Sequence, residues 1–92
     1  MRDNRSIAGL CGAVERARGD PDTLAAWLRP FATAELCRRL ACDERAALAL
    51  QLYAYPDPYR WWMDLRTIGA ALHVDPGALH TLLTDATRRR EA

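Results

Sequence analysis

The stretch from Ile68 to Leu83 has the residue spacing of a helix-turn-helix, two short helical runs of apolar residues, and Arg88, Arg89 and Arg90 follow it. Ile68 and Leu72 are a helical turn apart, and Leu79, Leu82, Leu83 and Ala86 make a second apolar stripe. Between the two runs stands Asp75-Pro76. An aspartate there accepts a bond from a free amide of the first turn, and proline at the first helical position removes no hydrogen bond the helix needs. A steep crossing of short helices also requires a small residue where the backbones meet, which Gly69, Ala70 and Ala71 offer. The spacing predicts a helix-turn-helix with Ile68, Leu72, Val74, Leu79 and Leu82 inward. Pro76, Gly77, Ala78, His80, Thr81 and Thr84 then face outward. His73 occupies the turn position where glycine is usual, and histidine tolerates positive φ better than most residues.

The rest of the chain reads as helix punctuated by caps and prolines. Ser6 is placed to cap a first helix carrying Ile7, Leu10, Cys11, Val14 and Ala17, ended by Gly19. Asp20-Pro21 opens a short second helix with Leu24, Trp27, Leu28 and Phe31 inward and Pro30 near its end. Thr33 caps a third, with Leu36, Cys37, Leu40 and Ala41, and Asp43 caps a fourth that is expected to run to Tyr55 before Pro56 and Pro58. No segment alternates with a period of two, and no hairpin signal occurs. The expected fold is all-α, a small single-domain bundle of five to six helices. Its N-terminal helices span 1–41, and the helix-turn-helix subdomain spans 42–92. No internal repeat is evident, and only Met1 to Arg5 and Arg88 to Ala92 look loose.

Charge narrows the classes of function. The formal net charge is +1, so no global field draws the chain onto nucleic acid or an anionic membrane, and any nucleic-acid contact must be local. Three cysteines, Cys11, Cys37 and Cys42, are too few and too irregular for a disulfide framework, which points to a reducing cytoplasm. The apolar runs are too short to span a bilayer, and Met1 to Arg5 does not lead into a signal-peptide core.

The segment Leu40-Ala41-Cys42-Asp43-Glu44-Arg45-Ala46-Ala47-Leu48-Ala49-Leu50, with Ile68 to Glu91, resembles the promoter-binding region 4 of bacterial sigma factors. The Glu-Arg pair before the leucine-rich run corresponds to that family's entry helix, and Ile68 to Glu91 to its last two helices and basic tail. The resemblance implies a protein acting in transcription or its regulation. Ala78, His80, Thr81 and Thr84 would face the DNA groove, and Arg66, Arg88, Arg89 and Arg90 would meet phosphates, with Arg38 and Arg39 extending the path. None of the outward residues is a side chain that reads base edges bidentately, so contact would run through the DNA backbone, through RNA polymerase, or both.

A second constellation lies upstream. Tyr53 to Met63 concentrates all three tyrosines and two of the three tryptophans, stiffened by Pro56 and Pro58. Rigid aromatics beside arginine are the composition of protein interfaces, which singles out Tyr55, Tyr59, Arg60, Trp61 and Trp62 as a protein-binding set. Adjacent Trp61 and Trp62 cannot both turn into the core. The alternative function is thus a non-catalytic inhibitor or adaptor, in size like small phage-encoded inhibitors such as anti-CRISPR proteins. The implied partners are DNA, RNA polymerase or another nucleic-acid-associated complex. No membrane, small-molecule substrate, cofactor or metal is expected, because Cys37, Cys42, His73 and His80 match no compact zinc spacing. No phosphate loop or nucleophile setting occurs, so the chain is not read as an enzyme.

Overall fold

The computed structural model describes residues 7–91. They form α1 (Ile7–Ala17), α2 (Leu24–Trp27), α3 (Thr33–Leu40), α4 (Glu44–Leu50), a 3-10 turn (Pro58–Arg60), α5 (Trp61–Leu72) and α6 (Pro76–Glu91). Among the described residues there is no strand, only an isolated antiparallel bridge between Thr23 and Ala54. The fold is all-α.

The expected break near His73 is present. Helix α5 ends at Leu72, and His73 adopts the left-handed conformation with φ 58° and ψ 45°. The Val74 amide then donates to the Gly69 carbonyl at 2.9 Å, and the Asp75 carboxylate accepts from the Ala78 amide at 2.9 Å to start α6. The same turn occurs a second time. Ala41 after α3 has φ 53° and ψ 48°, Cys42 donates to the Cys37 carbonyl at 3.1 Å, and Asp43 accepts from Ala46 at 2.8 Å to start α4. Both are six-to-one helix terminations that satisfy orphan carbonyls, and each is followed directly by an aspartate cap. Where the sequence shows no repeat, the backbone has one.

Gly69 is buried in the α5–α6 turn because the chain folds back over it, and a Cβ there would run into the Val74 carbonyl oxygen. Ala70 and Ala71 are exposed, so of the three small residues only Gly69 serves the close approach. The predicted stripe on α6 is intact. Leu79, Leu82, Leu83 and Ala86 are all buried, against Leu65 and Ile68 of α5 and Leu24, Leu28, Phe31, Leu36 and Leu40 from the first half. A smaller cluster of Leu10, Val14, Ala25 and Leu48 joins α1 to α2 and α4. Cys11 is exposed, contrary to expectation, because the buried face of α1 runs through Leu10 and Val14 with Ile7 and Ala17 beside them.

Other boundaries differ for identifiable reasons. Asp20 does not start α2; its carboxylate accepts from the Asp22 amide in a turn at 3.0 Å. The first amides of α2 are satisfied from far along the chain, Leu24 by the Tyr53 carbonyl and Ala25 by the Gln51 carbonyl, both at 2.9 Å. Helix α4 therefore stops at Leu50, not Tyr55: residues 51–55 unwind to lay their backbone along α2, and Tyr55, preceding a proline, is disfavoured from helix. Ala32, not Thr33, precedes the first turn of α3, with no side-chain cap. Arg88 to Glu91 is helical rather than loose. The Ser6 cap and Met1 to Arg5 lie outside the described residues.

Gln51 is 1 % exposed; its amide nitrogen donates to the Ala47 carbonyl while its side-chain oxygen has no partner. Two outcomes follow. Gly69→Ala should lower stability by about 2–3 kcal/mol, read as a loss of roughly 10 °C or more in Tm. Gln51→Met, which removes the unpartnered buried oxygen together with the bond to the Ala47 carbonyl, should shift the urea midpoint less than Gly69→Ala does, because the gain and the loss oppose each other.

Candidate functional site

The three tryptophans, one tyrosine and one histidine form a continuous row across the molecule. The Trp27 ring of α2 stacks on Tyr55 with centroids 4.5 Å apart, and Tyr55 tilts against Trp61 at 5.8 Å. Trp61, at the start of α5, meets His80 of α6 edge-on at 6.0 Å, and Trp62 lies tilted against the same imidazole at 4.9 Å. The Trp61 indole donates to His80 Nδ1 at 2.9 Å, so that nitrogen carries a lone pair and the ring proton resides on Nε2. Trp61 is half-buried over the core, whereas Trp62 is 48 % exposed. Neighbouring tryptophans thus divide the work, as their directions require.

This row changes the reading of α6. His80 is half-buried and engaged by both tryptophans, and Ala78 packs against the core, so neither projects freely outward. Thr81, Thr84 and Arg88 are exposed along one stripe of the helix, and Arg66 is exposed on α5. Two shallow depressions flank that stripe. One, of about 260 Å³, is bounded by Trp61, Leu83, Thr84, Thr87 and Arg88; the other, of about 400 Å³, by Arg39, His80, Thr81, Thr84, Asp85 and Arg88.

The basic tail does not act as a unit. The Arg89 guanidinium lies 4.6 Å from the Phe31 ring centroid and 3.5 Å from Asp85, and Arg90 lies 4.1 Å over the ring of Trp27. Arg39 of α3 donates to Asp85 at 2.8 Å and faces Phe31 at 5.3 Å, with Glu35 at 3.8 Å. Phe31 therefore presents its π surface to two guanidinium groups that share one carboxylate. Contacts of this kind are worth about 0.5–1 kcal/mol each at exposed sites, enough to hold the last turn of α6 in place. Of the arginines placed on a phosphate path, Arg39, Arg89 and Arg90 thus have partners within the fold, although Arg89 and Arg90 stay exposed. Arg38, Arg66 and Arg88 are exposed as well.

The most solvent-facing apolar side chains lie elsewhere. Tyr59 is 97 % exposed, Met63 55 %, and Trp62 is next to it; Leu52 completes the exposed large hydrophobic residues among those described. Tyr59, Trp62 and Met63 belong to one short stretch, the 3-10 turn and the first turn of α5. That stretch is held stiffly. Asp57 accepts from the Tyr59 amide at 2.9 Å, and Asp64 accepts from the Asp57 amide at 3.0 Å. Arg60 reaches the Met63 sulfur at 3.9 Å. Of the five residues read as a protein-binding set, Tyr59, Arg60 and Trp62 form this exposed edge. Trp61 is half-buried, and Tyr55 is a packing residue under Trp27.

Trp27 and Phe31 were legible as apolar positions, but nothing local shows that their faces receive Arg90, Arg39 and Arg89, because those partners come from other helices. Met63 is the further member of the exposed edge, signalled only by its neighbours. Among the described residues no group of three metal-ligating side chains gathers, and no helix is long and apolar enough to cross a membrane. In comparisons with protein-family models, curated proteins and solved structures, nothing matches this chain.

The hydrogen bond from Arg39 holds Asp85 below the usual carboxylate range; partial burial opposes this and Arg89 assists it. A depressed folded-state value gives stability that is present above the unfolded value and is lost as pH falls through the folded one. Asp85→Asn should therefore lower the urea midpoint near pH 6 and narrow its gap from the parent protein near pH 2.

Proposed function

We propose that this protein is a non-catalytic protein-binding module whose contact edge is Tyr59, Trp62 and Met63, with Arg60 beside them. The observation that carries this reading is the near-complete exposure of Tyr59 together with half-exposed Trp62 and Met63 on one rigid stretch. An exposed apolar cluster of Tyr, Trp, Met and Arg has the composition of interface anchors, and bonds to Asp57 and Asp64 limit the ordering cost of binding. Such a module acts as an inhibitor or adaptor on a larger protein assembly, RNA polymerase or another nucleic-acid-associated complex among the candidates. Its action needs no reaction chemistry.

A second reading, DNA-backbone binding in transcription through the sigma-like scaffold, draws support from one specific feature. Thr81, Thr84 and Arg88 form an exposed stripe on a helix that starts from a tight, capped turn, with exposed Arg66 on the helix before it. The contacts of Arg89 with Phe31 and Asp85 and of Arg90 with Trp27 weigh against an extended phosphate contact.

Affinity purification with the full chain as bait, with and without nuclease, separates the two. Under the first reading, capture survives nuclease and falls at least about tenfold for Trp62→Ala and Tyr59→Ala, with helicity unchanged by circular dichroism. Unchanged capture by both variants sinks it. Under the second, DNA retardation at low salt weakens for Arg88→Ala, and the slope of log affinity against log salt drops by about one.

A further inference from the structure

We infer that Cys37 and Cys42 are a built-in dithiol that closes to an intramolecular disulfide across the α3–α4 turn. The backbone sets this up. Left-handed Ala41 terminates α3, and the Cys42 amide returns to the Cys37 carbonyl at 3.1 Å. In a six-to-one termination the side chains at the two bonded positions turn to the same side and touch, normally as an apolar contact. Here both positions carry thiols, and Cys37 is near enough to help raise the Cys42 thiol. Both side chains also pack against the main core, which holds the sulfur atoms together rather than letting them swing apart. At the twin turn the corresponding residues are Gly69 and Val74, so the pair is particular to this one.

The step is an exchange with a small-molecule disulfide. A thiolate of the pair attacks one sulfur of the oxidant, expelling a first thiol; the second thiolate then attacks the mixed disulfide and expels the other. One S–S bond forms as one breaks, and the two protons leave with the released thiols. The Cys42 thiol is raised above its ordinary range by burial, then by Cys37 and the Asp43 carboxylate. Exchange therefore speeds up as pH rises. Exposed Cys11 has no cysteine partner among the described residues and keeps the mixed disulfide. Closure would fix the last turn of α3, from which Arg39 reaches Asp85 of α6.

The test equilibrates the full chain with oxidised and reduced glutathione, quenches with a thiol alkylator and maps the products by mass spectrometry. The expected result is a peptide bearing a Cys37–Cys42 link, lighter by two hydrogens than the dithiol form, with glutathione on Cys11 alone. Cys11→Ala should leave the link intact, and Cys42→Ala should convert Cys37 to an alkylated or glutathione-bearing residue. Ala41→Gly, which keeps the left-handed turn, should close as readily as the parent. Free, separately alkylated Cys37 and Cys42 in the folded chain under oxidising glutathione would overturn the inference, as would glutathione on both or a link to Cys11.

Discussion

The Val74 carbonyl lies directly over the Cα of Gly69, and the contact leaves no space for a side chain. This approach lets α6 leave the turn at an angle that carries Leu79, Leu82 and Leu83 back over Leu65 and Ile68. It also brings His80 up to the two tryptophans at the start of α5. The core and the aromatic row thus share one origin. Shift the α5–α6 turn, and the imidazole loses its place between Trp61 and Trp62 while the leucine stripe loses its partners.

Much of this was legible in local sequence because local physics decides it. Asp75-Pro76 and Asp43 mark helix starts, since an aspartate oxygen can reach an amide three residues on. The α6 stripe is legible because a helix repeats faster than its surroundings vary. What failed was long-range. Helix α4 stops at Leu50 because the carbonyls of Gln51 and Tyr53 are taken by amides of α2, a pairing with no signature near either segment. The left-handed state of Ala41 was equally hidden, since alanine is not the glycine that would announce it, whereas that of His73 was legible from its place in the turn.

The arginines show the same limit in the candidate site. Read along the chain, Arg88 to Arg90 form a basic tail. In space, successive helical residues diverge by about 100°, and the three part company although all stay exposed: Arg89 goes to Phe31 and Asp85, and Arg90 to Trp27. A charge run on a helix is thus partly engaged by the fold even where it faces solvent. The aromatic segment was read more truly, because adjacency of Trp61 and Trp62 forces one inward and one outward whatever they meet.

The dependence of α2 on residues 51–53 has a consequence for how the chain acquires its structure. Four residues cannot hold a helix alone, and the acceptors for its leading amides come from beyond both α3 and α4. On a ribosome, where the amino end emerges first, Leu24 and Ala25 have no partner until Tyr53 has been synthesised. The first third of the nascent polypeptide must wait, its apolar groups uncovered, for the middle to arrive.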